Sequence, residues 1–319
     1  MYKIELYKTV QWKIPVLTIV ALLLFQIVTF AQNDHTIDPC LDKKGDDYMN
    51  RQTEAFISEI KNTITDLPPQ YPLPRERYLG LLLIDAVLHD VYAAHRPPVQ
   101  DFFHSQILKA LEDIETTTVD EGAKIWKLYN MGFIVRTKSI TIAFDLVTGE
   151  SAQAEGFTLS NDIMVRFVKQ CDALFISHRH RDHKDLWIAQ EFLNLNKPVV
   201  APPQVWEGQP IHEKITHLKR EAHTIQKLPL KGKTLQLDVV VYPGHQMSSH
   251  ENNVSLIISP EGISFAHMGD QINEGDFMVD YAWIDNVSDH HKVDILLPPC
   301  WTNEIYRIVK GFNPKLVIP

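Results

Sequence analysis

The sequence predicts a layered α/β or α+β protein with a helical N-terminal region, on three observations. Residues 46–118 carry apolar side chains at helical spacing, cut by prolines. At Gly122 the character changes to short β-branched runs bounded by turn residues. From there strand-like and helix-like stretches alternate to residue 319, and no repeat of fixed period is visible.

Taken in order, Lys3, Lys8 and Lys13 precede an apolar run over 14–30, and Thr29 and Ala31 supply small residues at its end. This pattern predicts a secretory signal peptide over 1–31, cleaved after Ala31, and hence an exported protein, periplasmic or secreted. The competing reading is an uncleaved anchor, but about 17 residues is the lower limit for a span and Gln26 interrupts the run. Residues 32–120 are expected to form a polar tail (32–47) and a helical region, with helices over 48–67, 78–94 and 99–114. Residues 121–319 are expected to form the catalytic domain. Its strands are predicted over 123–128, 132–144, 173–177, 198–201, 235–242, 254–258, 263–267, 293–298 and 315–318. Its helices are predicted over 160–171, with Ser160 or Asn161 as N-cap, and over 186–195 and 303–310. Residues 202–232 show no clear period.

The net charge of −9 and the lack of a long basic run argue against a partner bound through nucleic-acid phosphates. A small-molecule substrate is expected, with no stable membrane association after signal cleavage and an oligomeric state that the sequence does not fix. Cys40, Cys171 and Cys300 form no C-x-x-C pair, which excludes a thiolate zinc knuckle. Cys171 and Cys300 read as small buried apolar residues.

Chemistry is concentrated in His178-Arg179-His180-Arg181-Asp182-His183, directly after the strand predicted at 173–177. In extended backbone, residues two apart point to one side, so His178 and His180 can meet one metal ion. Asp182 and His183 follow where the chain should turn into a helix and can face a second ion beside the first. Imidazole with carboxylate suits zinc and, less selectively, iron or manganese. The alternative is a set of solvated surface histidines, since the chain has 15.

The run from Phe175 to His183 resembles the signature of the metallo-β-lactamase superfamily. Three further stretches resemble that family in order: Pro243-Gly244-His245, Ala266-His267-Met268-Gly269-Asp270, and the hairpin from Gly132 that ends at Asp145. The resemblance covers about residues 122–319, and Asn253 with the hairpin after it is most similar to the lactonase-like and broadly defined metal-dependent hydrolases. It implies an αββα sandwich and two zinc ions per chain, with iron or manganese as alternatives. His178, His180 and His245 would hold the first ion, Asp182 and His183 the second, and Asp270 would bridge them. Asp145 would support the ligands from below. The family usually supplies one more histidine after its last strand. Here that strand ends at Pro319, so truncation just before the ligand is expected, with substitution by another residue as the alternative.

The resemblance implies a binuclear metal-dependent hydrolase that uses a metal-bound hydroxide on an ester, lactone or amide bond. Asp182 would be the catalytic carboxylate as well as a ligand. The alternatives are a phosphodiesterase on the same metals, and a binding protein that keeps the fold without turnover. His267 reads equally as a residue lining the site or as a satisfied strand histidine. His250 is expected in a loop from which it could reach substrate. His89, His95, His104, His212, His217, His223, His290 and His291 have no ligand spacing with these residues, and Trp301 and Tyr306 read as pocket border or core.

Overall fold

The computed structural model describes residues 39–319 apart from 68, 71, 91, 150–157, 247–249, 272–278 and 303, so the expected signal segment lies outside the described residues. Period-two alternation of apolar side chains organises two sheets. The first runs in the order β1 (Lys124–Lys127), β2 (Phe133–Arg136), β3 (Thr141–Phe144), β4 (Ala173–Phe175), β5 (Val199–Val200). Its first two pairings are antiparallel and its last two parallel. The second sheet contains β6 (Gln226–Pro229), β7 (Gln236–Gln246), β8 (His250–Ile258), β9 (Ser264–His267), β10 (Ile295–Leu297) and β11 (Leu316–Val317). Its order is β11-β10-β9-β8-β7-β6, antiparallel from β6 to β9 and parallel from β9 to β11.

Alternate residues of each strand go to opposite faces. Phe133, Val135, Ile142, Phe144 and Phe175 of the first sheet therefore meet Leu237, Val239, Val241, Ile257 and Phe265 of the second in a buried layer between them. The intervening Ile134, Ala143 and Leu174 pack outward on α3 (Pro97–Thr116), α4 (Asn161–Gln170) and α5 (Leu186–Asn194), through Leu111, Phe167 and Phe192. Across the molecule Val240, Tyr242, Leu256 and Leu296 pack on α6 (Tyr281–Ile284), α7 (Val287–His290) and α8 (Ile305–Phe312). The result is an αββα sandwich, as the resemblance implies.

Contacts divide the chain into residues 1–52 and residues 53–319. The described part of the first is the opening of α1 (Pro39–Asp66). Within the second, Ile57 and Ile60 of α1 form a small core with Val87 of α2 (Arg75–Leu88) and with Val99 and Phe102 of α3. Among the described residues no helix is long and apolar enough to cross a membrane.

Several expectations are corrected. The polar stretch expected as tail through residue 47 is helical from Pro39, because its Asp and Lys residues are compatible with a helix that has no apolar face to reveal it. The second helix begins at Arg75 and stops at Leu88, short of residue 94. Residues 202–232 hold a 3-10 turn (His212–Lys214) and β6. Cys171 is buried as expected, but Cys300 is exposed in the turn after β10. Strands β7 and β8 extend well past their apolar stretches, pairing as far as Gln246 with His250.

Candidate metal centre

Three strand ends converge at one edge of the sandwich. β3 ends at Phe144, and Asp145 follows with φ +41°, its backbone nitrogen donating to Phe175 O at 2.9 Å. β4 ends at Phe175, which delivers Ser177 and His178 beside it. Asp145 accepts from Ser177 N at 2.7 Å and from Ser177 Oγ at 2.6 Å. Ser177 O accepts from Asn253 N of β8 at 2.8 Å, which ties the two sheets together at this edge. β9 ends at His267, and Met268-Gly269 carries the chain to Asp270. Gly269 has φ +54°, and a Cβ there would run into Ser177 and the Asn252 side chain, so glycine permits the close approach.

The hydrogen bonds fix the imidazole tautomers. Ser177 spends its hydroxyl proton on Asp145, so the 3.0 Å contact between Ser177 Oγ and His178 Nδ1 has Nδ1–H donating. His183 Nδ1–H donates to Asp145 Oδ2 at 2.8 Å. In both rings Nε2 is then the metal-facing nitrogen, the arrangement in which a carboxylate orients a ligating histidine. His183 Nε2 lies 3.2 Å from Asp270 Oδ2, and His178 Nε2 lies 4.0 Å from the same oxygen. Asp182 Oδ2 lies 3.5 Å from His183 Nε2. The His180 ring centroid is 4.7 Å from that of His178.

His178 Nε2 is buried and has no hydrogen-bond partner, an expensive state for a polar atom. A divalent ion would satisfy it: two ligands at ~2.1 Å in a tetrahedral array stand roughly 3.4 Å apart, between the 3.2 and 4.0 Å that separate His183 Nε2 and His178 Nε2 from Asp270 Oδ2. Among the described residues His178, His183 and Asp270 form a group whose ligand atoms all lie within 4.8 Å of one another. The electrostatics of the two rings differ when no ion is held. Burial lowers the pKa of His178, and the nearby His183 and His180 lower it further, which leaves a neutral ring with a lone pair. Burial works against charge on His183, but Asp145 outweighs it, with Asp182 and Asp270 adding, and raises its pKa well above the imidazole range. Two carboxylates, Asp182 and Asp270, beside two inward nitrogens make a pocket that favours a cation.

The structure thus brings His178, His180, Asp182, His183 and Asp270 together. Among the described residues the close-set group of His178, His183 and Asp270 does not include His245, which stands near the end of β7. The His245 Nδ1 lies 2.9 Å from Asp280 Oδ1, and its backbone nitrogen donates to Gln271 Oε1 at 3.1 Å. Its neighbour Gln246 is buried and donates Nε2 to Asp270 Oδ2 at 2.8 Å. His250, the cross-strand partner of Gln246, has its ring centroid 4.7 Å from that of His180. It begins a strand and is not in a loop. His267 is buried, donates Nε2–H to Met131 O at 3.0 Å and stacks on Phe144, which makes it a satisfied strand histidine beneath Asp145. Trp301 and Tyr306 are both exposed, which rules out a core role.

Sequence reasoning did not single out Asn130, Ser177, Gln246 or Asp280. Asn130 Nδ2 donates to Asp182 Oδ2 at 2.9 Å and lies 3.2 Å from His183 Nε2. It sits at φ +52° in the turn between β1 and β2, and in the sequence an asparagine there marks a turn and not a site. Ser177 lay inside the motif and had no separate signal.

No protein-family model matches the sequence, and no curated protein matches it. Among solved structures it is similar to Igni18, a metallo hydrolase from Ignicoccus hospitalis, at 14% identity and a TM-score of 0.44, over 62% of this chain and 81% of that one. It is similar to CmlA, a diiron β-hydroxylase from Streptomyces venezuelae, at 16% identity and a TM-score of 0.41, over 63% of this chain and 44% of that one. A long form of RNase Z from yeast matches at 13% identity and a TM-score of 0.35, over 58% of this chain and 34% of that one. At these scores the likeness carries no functional argument, and the centre is read from its own geometry.

Proposed function

We propose that this chain is an exported metal-dependent hydrolase of the metallo-β-lactamase superfamily, cleaving an ester, lactone or amide bond. The observation that carries the reading is the buried, unpartnered Nε2 of His178, set with His183 Nε2 against one carboxylate oxygen of Asp270. His178, His180 and His245 would hold one divalent ion, Asp182 and His183 a second, and Asp270 would lie between them. Zinc is the first choice for this donor set, with iron or manganese also suited. An ion held there supplies Lewis acidity, which makes water a competent nucleophile near neutral pH and polarises the oxygen of the electrophile.

The chain's own residues supply the rest. Asp145 fixes His183 and, through Ser177, His178, so that both rings present Nε2. Gln246 pins Asp270. Asn130 orients Asp182, whose pKa burial alone would raise, but the adjacent His183 and His180 hold it below the ordinary carboxylate value. Asp182 is thus ionised at neutral pH and suited to orient the nucleophile and accept its proton. His180 and His250, both only partly buried, border the approach.

The test is a panel of chromogenic lactones, aryl esters, β-lactams and bis-aryl phosphates, assayed with zinc, with iron and after chelation. Turnover of a carbonyl substrate, abolished by chelator and in His180→Ala, is expected. Turnover of the phosphodiesters alone, or none with metal-loaded protein, overturns the reading.

A further inference from the structure

The outer face of α2 breaks the usual pattern of a surface helix. Its inner face is accounted for: Gly80 and Val87 are buried, with Gly80 close against Thr63 and Ile64 of α1. A helix with one buried face normally turns polar side chains to water. Here the outer face stays apolar, with Tyr78 50% exposed, Leu79 47%, Leu81 38%, Leu82 45% and Leu88 48%. Their exposed parts amount to on the order of 400 Å² spread over about 180° of the helix surface, with Tyr78 and Leu82 holding roughly half.

Charge placement points to the occupant. At 100° per residue Arg75, Tyr78, Leu82 and Asp85 fall within about 80° of one another on this face. Arg75 and Asp85, both exposed, are ten residues apart, about 15 Å along the axis, with Tyr78 and Leu82 set symmetrically between them. A two-fold axis across the helix at the level of Gly80 sets an antiparallel second copy on the face. Tyr78 of each copy then meets Leu82 of the other, and Arg75 stands level with Asp85 at both ends. Such a face is self-complementary, as an isologous interface requires.

We propose that the outer face of α2 is a homodimer interface, built on antiparallel α2 helices with reciprocal Arg75–Asp85 pairing. The proposal is independent of the metal centre. Sedimentation velocity on the purified chain from 1 to 50 µM tests it, with circular dichroism to confirm folding. The native chain should be dimeric. Arg75→Asp and Asp85→Arg should each weaken the dimer at least tenfold by setting like charges level, and the double exchange should restore it. Leu82→Glu should give a folded monomer. A native chain that is monomeric throughout the range overturns the proposal, as it would be if lipid or residues 14–30 covered this face. So does a dimer indifferent to Leu82→Glu, or charge variants that behave alike singly and together.

Discussion

Asp145 Oδ2 lies 2.8 Å from His183 Nδ1 while the same carboxylate takes both the backbone and hydroxyl protons of Ser177. One buried acid thus orients two inward-facing imidazoles from behind. Replacing it with Asn keeps the shape but removes the charge and one acceptor. We expect Asp145→Asn to lower metal affinity about 10–100-fold, as loss of a ligand-orienting group does. Competition with a chelating dye measures it, and unchanged affinity would remove Asp145 from this role.

His245 and His250 are predicted to separate. His245 has the carboxylate-backed geometry of a ligand, through Asp280, whereas His250 stands against His180. His245→Ala and Asp280→Asn should both reduce bound metal. His250→Ala should leave metal content unchanged and alter kcat/KM. Metal analysis beside kinetics reads both, and the opposite pattern would exchange their assignments.

Gly269 joins β9 to Asp270 at φ +54°, against Ser177 and Asn252. Gly269→Ala faces both a strained backbone and a clash, so a loss of roughly 1–3 kcal/mol is expected in urea unfolding. Bound metal should fall in parallel, because any shift displaces Asp270. A variant as stable as the parent would show that the turn relaxes without cost.

Asp294 gives a pH prediction away from the centre. Burial would raise its pKa, but Lys292, Lys315 and the backbone and hydroxyl of Ser264 together bring it well below the ordinary value. A depressed folded pKa gives stability that is present above the unfolded value of about 4 and is lost as pH falls below it. The stability gap between the parent and Asp294→Asn should hold from pH 7 to near 4 and close below that. A gap independent of pH would contradict the assignment.

The two mapped cysteines should differ in reactivity. Burial pushes the Cys171 thiol up to about 12, whereas Cys300 is exposed. Iodoacetamide on the native protein, read by peptide mass mapping, should mark Cys300 and spare Cys171. Rapid labelling of Cys171 would mean that the C-terminal end of α4 opens readily.

Legibility in the sequence followed locality. His178 to His183 lie within six residues, so spacing alone placed four candidate ligands, and apolar alternation placed most strands of both sheets. Asn130 reaches Asp182 across 52 positions and Gln246 reaches Asp270 across 24, and no local pattern encodes such pairs. β6 buries only Leu228 among its residues, so it shows no period. The polar ends of β7 and β8 pair through backbone bonds that side-chain pattern does not report. Cys300 is exposed because it sits in the turn after β10, a position that residue type alone does not report.

In the proposed centre His178, His183 and Asp270 enclose a metal ion. Metal content by mass spectrometry, on purified parent and His183→Ala after incubation with zinc or iron and removal of excess, tests it most directly. At least one tightly held ion per parent chain is expected, and its loss in a folded variant. A folded parent that retains no ion would contradict it.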